Sequence, residues 1–312
     1  MNNLIMCAFA FPEGHGKSTQ IENVSDAKKI DIYMENAYVA LASAKLHNPH
    51  DTVVFVTDRA LEAHIKKRFQ DAGIENVVVP FDCFLMPDDF MWSRAFYKLC
   101  ALYHIAKEKE CNNFLLLDTD TYSVQNYEEL WLECGQGVLL YEVGHTFYHR
   151  DREVIYKDYK WLYGPNHKPI HYGGEFVAGN RDALCTFMEE CIRVYTDMKE
   201  AQFQGEKNAG DETILSIAAC KTSNVIPANP YLFRFWTGDF YLVSTLHEAN
   251  PVCIWHLPAE KDMGMRYMYR YYQRKKCFPE KKKAAKIMGL PEARRKRSFL
   301  HFWMRIRKKF WA

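Results

Sequence analysis

Residues Asn113 to Thr121 read Asn-Phe-Leu-Leu-Leu-Asp-Thr-Asp-Thr (NFLLLDTDT), four apolar residues in a row among them and then two carboxylates one threonine apart. A run such as Phe114 to Leu117, without helical periodicity and ended abruptly by polar residues, is the pattern of a strand covered on both faces in a parallel sheet. The acids then stand at its carboxyl end, where open α/β sheets carry their ligand crevices. Side chains two apart on extended chain point to the same side. Asp118 and Asp120 therefore converge, and they repel unless a cation lies between them. Paired hard oxygen ligands suit Mg²⁺ or Mn²⁺, with water and substrate phosphates in the remaining positions. A capped turn beside a solvated acid has the same local sequence, so the surroundings decide.

Strands and helices alternate around this stretch. Leu4 to Phe11 is apolar, Ala27 to Leu46 helix-like, and Thr52 to Val56 (TVVFV) a strand. Ala60 to Ala72 reads as a helix stopped by Gly73, Asn76 to Val79 as a strand, and Phe90 to Glu110 as the helix leading into FLLL. This βαβαβαβ order predicts an α/β fold with a mostly parallel sheet, its nucleotide-binding half within residues 1 to about 125. Gly137 to Val143 is a further expected strand. His145 to His171, rich in His and aromatic residues, is expected to be an irregular, mobile loop. EGHGKST, Glu13 to Thr19, ends like a phosphate-cradling loop, but Phe11 stands where that motif needs its first Gly.

At 312 residues, with 48% hydrophobic and 15% aromatic content, the chain can bury one large core with an appendage. Its 10 cysteines are scattered, with no CxxC pair and no secretory leader, which fits a reducing compartment. No apolar run approaches the roughly 18 residues that span a bilayer. The formal charge of +2 conceals an asymmetry: 15 of the 41 Lys and Arg but 2 of the 39 acidic residues lie from Arg274 onward. A body of −11 thus precedes a tail of +13, the pattern of a binding or catalytic body with an arm that meets something anionic.

Four more pieces follow in order. WSRAFYKL places Arg94 and Lys98 four apart on one helix face, with Met91, Ala95, Leu99 and Leu102 as its buried stripe. HYGGEFVAGN offers Gly173 and Gly174, which permit a bulge or a close backbone approach beside a ligand. GDETILS starts a helix with Asp211 and Glu212 in its first turn, where the dipole favours acids. VCIWHLP ends an apolar strand with His256 at its exit.

This order resembles the GT-A fold glycosyltransferases, and among them the family-eight type that includes bacterial lipooligosaccharide galactosyl- and glucosyltransferases and glycogenin. The resemblance covers roughly residues 1 to 262. It implies that Asp118, Asp120 and His256 hold Mn²⁺ (or Mg²⁺) against the diphosphate of a UDP-sugar. It also implies that Arg94, Lys98, Asp118, Thr119, Gly173, Gly174 and Lys261 contact the donor. Glu212, or else Asp211, would be the carboxylate beneath the sugar carbon of a retaining reaction. The chain departs from the family at Gly173-Gly174-Glu175, where an Asn-Ser-Gly segment is usual. It departs again at Leu257-Pro258-Ala259, where a Gly usually follows the histidine, and at Glu212, where Gln is usual. The expected acceptor is a saccharide or a lipid-linked saccharide in surface glycan synthesis.

The expected organisation is a catalytic domain over 1–262, with its acceptor half in 126–262, and a basic amphipathic tail over 263–312. Helical spacing sets Phe299, Trp303, Ile306 and Phe310 along one stripe among cations, the pattern of a helix lying on an anionic membrane. The expected location is the cytoplasmic face of the inner membrane, peripherally bound. A body of −11 argues against nucleic acid as a partner. A metal-dependent nucleotidyltransferase and a non-catalytic nucleotide-sugar or membrane-binding protein share the paired acids and are the competing expectations.

Overall fold

The computed structural model describes residues 2–11, 25–87, 90, 92–203, 210–236, 244–292, 302, 303, 306 and 307. The elements run β1 (Asn3–Phe9), α1 (Asp26–His47), β2 (Thr52–Thr57), α2 (Ala63–Asp71) and β3 (Glu75–Val78). A 3₁₀ turn (Ser93–Phe96) then leads through α3 (Tyr97–Glu108) into β4 (Asn113–Leu117) and β5 (Thr121–Ser123). Next come α4 (Glu128–Cys134), β6 (Val138–Glu142), α5 (Arg150–Tyr163), β7 (Tyr172–Asn180), α6 (Arg181–Glu200) and α7 (Asp211–Ala219). The chain closes with β8 (Val225–Pro227), β9 (Leu232–Arg234), β10 (Ile254–His256), α8 (Gly264–Lys275) and α9 (Lys281–Met288).

Among the described residues a seven-stranded sheet runs β3-β2-β1-β4-β7-β6-β8 and a three-stranded sheet runs β5-β10-β9. The first four strands are parallel, as the βα alternation requires, and β7 enters antiparallel to both β4 and β6. The continuous apolar runs are explained by burial on both faces. Leu115 and Leu117 of β4 point into one core with α1, and Phe114 and Leu116 into a second with α3 and α6. Helix α1 is started by the Ser25 side chain, which accepts from the Lys28 amide, and α6 by Asn180, which accepts from Ala183.

Two expectations change. The helix expected over Phe90 to Glu110 is a 3₁₀ turn followed by α3, so Arg94 and Lys98 belong to different elements, and Ala95 is half-buried rather than part of the buried stripe. The stretch expected to be an irregular loop contains α5, whose Ile155 and Tyr159 are buried one turn apart on one face. That narrow apolar stripe is diluted in the sequence by the His, Tyr, Arg and Lys around it.

From residue 263 the chain continues on the body. Tyr269 of α8 stands edge-on to Tyr38 of α1, and Arg266 donates to Glu35 at 2.5 Å. Ala284, Ala285 and Met288 of α9 and Leu290 after it are buried. Residues 293–301, 304, 305 and 308–312 lie outside the described residues, with Phe299 and Phe310 of the expected stripe. Phe302 and Trp303 are exposed. No helix among the described residues is long and apolar enough to cross a membrane.

Candidate active site

Strand β4 ends where the sequence places the acids, and the backbone turns directly into β5. That short strand brings in the distant histidine: β10 pairs antiparallel with β5, His256 standing opposite Thr121, and the Leu257 amide donates to the Asp120 carbonyl at 2.9 Å. Ligand atoms of Asp118, Asp120 and His256 lie within 4.8 Å of one another. His256 Nε2 is 3.5 Å from Asp120 Oδ2 and 4.0 Å from Asp118 Oδ2. Asp120 is buried, and its Oδ1 has no hydrogen-bond partner among the described residues, while Oδ2 faces two cations. Lys261 Nζ approaches Oδ2 at 3.2 Å. Burial alone would push the His256 imidazole down, but Asp120 and Glu175 outweigh it and hold the ring up at about 9. Two carboxylates and an imidazole, with Asp120 Oδ1 buried and without a hydrogen-bond partner among the described residues, fit a hard divalent cation, whose charge would take over what the imidazolium proton supplies.

Lys98 lies between the metal-type cluster and α7. Its Nζ donates to Asp118 Oδ1 at 2.7 Å and stands 3.1 Å from Asp211 Oδ2. Burial pushes the Asp211 carboxyl up; Lys98 pulls it back, Asp118 and Glu212 push it up again, and it sits at about 7. Glu212, one residue on, is held the opposite way. Burial again would raise it, but the hydrogen bond from His171 at 2.8 Å and the Arg234 guanidinium 3.2 Å away hold it at about 2. The same helix start thus presents one carboxyl poised near neutrality and one firmly ionised.

Sequence reasoning missed Glu175, Arg234 and His171 as members of this network. Arg234 grips Glu175 with two hydrogen bonds, one from Nε to Oε1 at 2.6 Å and a second, shorter one from Nη2 to Oε2. Both side chains are buried, and Glu175 Oε1 also lies 3.3 Å from His256 Nδ1. A charged residue closing the aromatic strand segment Leu-Phe-Arg-Phe was the available signal, since a buried strand end holds an Arg only with a partner.

The Gly-Gly pair serves this network. The register between β6 and β7 slips after Leu140, which opposes Val177, so that Tyr141 opposes Gly173 and the intervening residues bulge. A Cβ on Gly174 would lie 2.0 Å from Asp211 Oδ2, and one on Gly173 2.1 Å from Glu175 Oε2. The expected close approach is thus made by the chain's own carboxylates. Gly174→Ala should displace Asp211 from Lys98 and cost about 1–3 kcal/mol, as overpacking does. Thermal melts of G174A and of G174A/D211A check this, the second change returning part of the loss; an unshifted melt for G174A would contradict it.

The expected site residues line two adjoining clefts. The first is bounded by Phe9, Tyr33, Arg94, Thr119, Asp120 and Lys261, the second by Gly174, Glu212, Arg234, Trp236, His256 and Pro258. Trp92, Ala95, Lys98 and Asp118 border both, so the paired acids stand at the junction. Gly173 lies behind the second cleft, against Glu175 and Arg234. Glu13 to Thr19, the near-miss of a phosphate loop, lies outside the described residues.

No protein-family model matches the chain, and comparison with curated proteins finds no relative. Among solved structures it is similar to the galactosyltransferase LgtC in complex with donor and acceptor sugar analogues, at 14% identity and a TM-score of 0.51. The match covers 81% of this chain and 86% of that one. An active-site mutant of LgtC, glutamate for glutamine, matches over the same shares at 14% identity and a TM-score of 0.52. A likeness at this identity is one of backbone architecture: with its mostly parallel sheet flanked by helices, the chain has the GT-A fold of these galactosyltransferase structures.

Proposed function

We propose that this chain is a metal-dependent glycosyltransferase that moves a hexose from a nucleotide sugar, UDP-linked, to a saccharide or lipid-linked acceptor with retention of configuration. The observation that carries the reading is the convergence of Asp118, Asp120 and His256 at the junction of two clefts, one for each half of a glycosyl nucleotide. These three would hold Mn²⁺ or Mg²⁺. When bound, the ion supplies Lewis-acid neutralisation of the charge that builds on the departing diphosphate. Arg94, Lys98 and Lys261 face the same position from the first cleft and add fixed positive charge there.

In the second cleft the ionised Glu212 faces the space a sugar ring would fill, and a carboxylate there stabilises the positive charge of an oxocarbenium-like transition state. His171 and Arg234 orient it and keep it unprotonated. Asp211, shared between Lys98 and α7, keeps that lysine directed at Asp118. The competing nucleotidyltransferase reading gains nothing from these side chains, which crowd carboxylates around the sugar side.

The test is a panel of nucleotide sugars with and without Mn²⁺, scored by hydrolysis, by thermal stabilisation and by the product anomer in NMR. A UDP-hexose should stabilise the protein in the presence of Mn²⁺, and excess chelator should abolish turnover. Turnover unaffected by chelator would sink the metal claim, and an inverted product would remove the role given to Glu212.

The basic segment beyond Leu290 would hold the enzyme on the cytoplasmic face of an anionic membrane. At about 1 kcal/mol per cation near such a surface, half of the eight Lys and Arg after Glu292 would suffice. Because α8 and α9 are packed on the body, the informative truncation ends at Glu292. That protein should lose flotation with anionic vesicles yet hydrolyse donor, whereas undiminished flotation would rule the anchor out.

A further inference from the structure

A second cluster of metal-type side chains joins α3 to the segment after β3, and none of its four residues lines either cleft. Cys83 and Asp82 belong to the segment after β3. Cys100 and His104 are one turn apart on α3 and share a face. Ligand atoms of all four lie within 4.8 Å of one another. Cys83 Sγ is 2.7 Å from Cys100 Sγ, His104 Nε2 is 2.8 Å from Asp82 Oδ1, and Cys100 Sγ is 3.8 Å from that same oxygen.

Two further contacts and the burial of the cluster bear on metal binding. The Cys83 amide donates to Cys100 Sγ at 3.4 Å, an interaction that steadies a thiolate. His104 directs Nε2 into the cluster and leaves Nδ1 3.9 Å from Glu108, beyond hydrogen-bond distance but on the side from which a carboxylate can orient a metal-binding ring. Cys100 is buried while Asp82 is exposed, so the cluster is rooted in the core and open to solvent on one side.

We propose that Asp82, Cys83, Cys100 and His104 bind a zinc-like divalent ion that fastens the segment after β3 to α3. Thiolate and imidazole are the donors a borderline-soft ion selects, in contrast to the oxygen-rich Asp118–Asp120 pair. Four ligands from two elements match a closed tetrahedral structural site. Tetrahedral bonds of about 2.0–2.3 Å set sulfur–sulfur edges of roughly 3.7 Å, so the two thiols separate by about 1 Å to admit the ion. Both cysteines lose their protons on binding, and uptake therefore strengthens as pH rises. The staple would act on the helix that carries Lys98, two residues before Cys100.

The experiment titrates Co²⁺, a spectroscopic stand-in for zinc, into the reduced full-length chain. One equivalent should produce thiolate-to-cobalt charge-transfer absorption with tetrahedral d–d bands, bleached by Zn²⁺. The bands should persist in D120N, which separates this site from the proposed active-site metal, and C100S should weaken cobalt binding by at least about 100-fold. Should C100S fail to fold, alkylation of the wild type decides. Zinc should shield half-buried Cys83 while exposed Cys277 stays reactive. Absence of the charge-transfer band in reduced wild type, equal labelling of Cys83 with and without zinc, or a Cys83–Cys100 disulfide that precludes metal uptake would each overturn the proposal.

Discussion

Asp120→Asn should reduce the proposed sugar transfer by at least about 10²–10³-fold, the scale of losing one fixed electrostatic contact to a transition state. The substitution keeps the shape of the side chain and removes its charge. Asp120 is 1% exposed, and His256 and Lys261 both turn toward its carboxylate. Without that charge the site keeps one carboxylate, and Mn²⁺ should no longer raise the melting temperature in the presence of UDP. The two cations would lose a buried anion, so the metal-free protein should itself be less stable by about 1–3 kcal/mol and melt lower. Donor hydrolysis and calorimetry on the same preparation separate the effects. Full turnover in a folded D120N protein would remove Asp120 from the chemistry.

The second large effect is structural. Arg234→Met strands Glu175, a 1% exposed carboxylate, in the core, and breaking a buried pair by removing one partner costs about 3–5 kcal/mol. For a chain of this size that corresponds to a melting point lower by roughly 5–8 °C. Glu175→Gln in the same background should return much of the loss, because two neutral groups of similar shape leave no buried charge. Acid titration gives an independent check. Arg234 and the other cations around Glu175 and Glu212 hold both carboxyls below their ordinary value of 4.5. A depressed carboxyl contributes stability above its unfolded pKa and loses it as pH falls toward the folded one. Wild-type stability should therefore fall below about pH 4.5, and R234M should show a shallower fall. A wild-type melt matched by R234M at every pH would show that the network carries no stability.

Placing these residues in one site required unequal help from sequence and structure. The apolar run of β4 was legible from nine residues, because burial on both faces is a local property, but Asp118 and Asp120 follow the strand on a turn at residues 119 and 120, so that turn and not the two-residue period of extended chain brings them together. The βα alternation and Lys98 on the preceding helix were equally local. His256 was legible only as a residue leaving a strand; its place beside Asp120 depends on β10 pairing with β5, 136 positions apart if counted from Asp120 to His256. Glu175 and Arg234 looked like ordinary polar residues, because a pair 59 positions apart leaves no mark in either segment. The Gly-Gly pair was visible, but which atoms needed its space was not, since Asp211 and Glu175 arrive there from α7 and the β7 bulge. The same holds for Cys83 and Cys100, scattered in sequence and adjacent in space. Periodicity and composition, which each segment carries in itself, determined the four parallel strands of the first half, the helices between them and the acidic strand end; α5, the antiparallel entry of β7 and the partners of the buried charges were decided by tertiary packing, because a charge can be buried only where distant segments bring it a counter-charge.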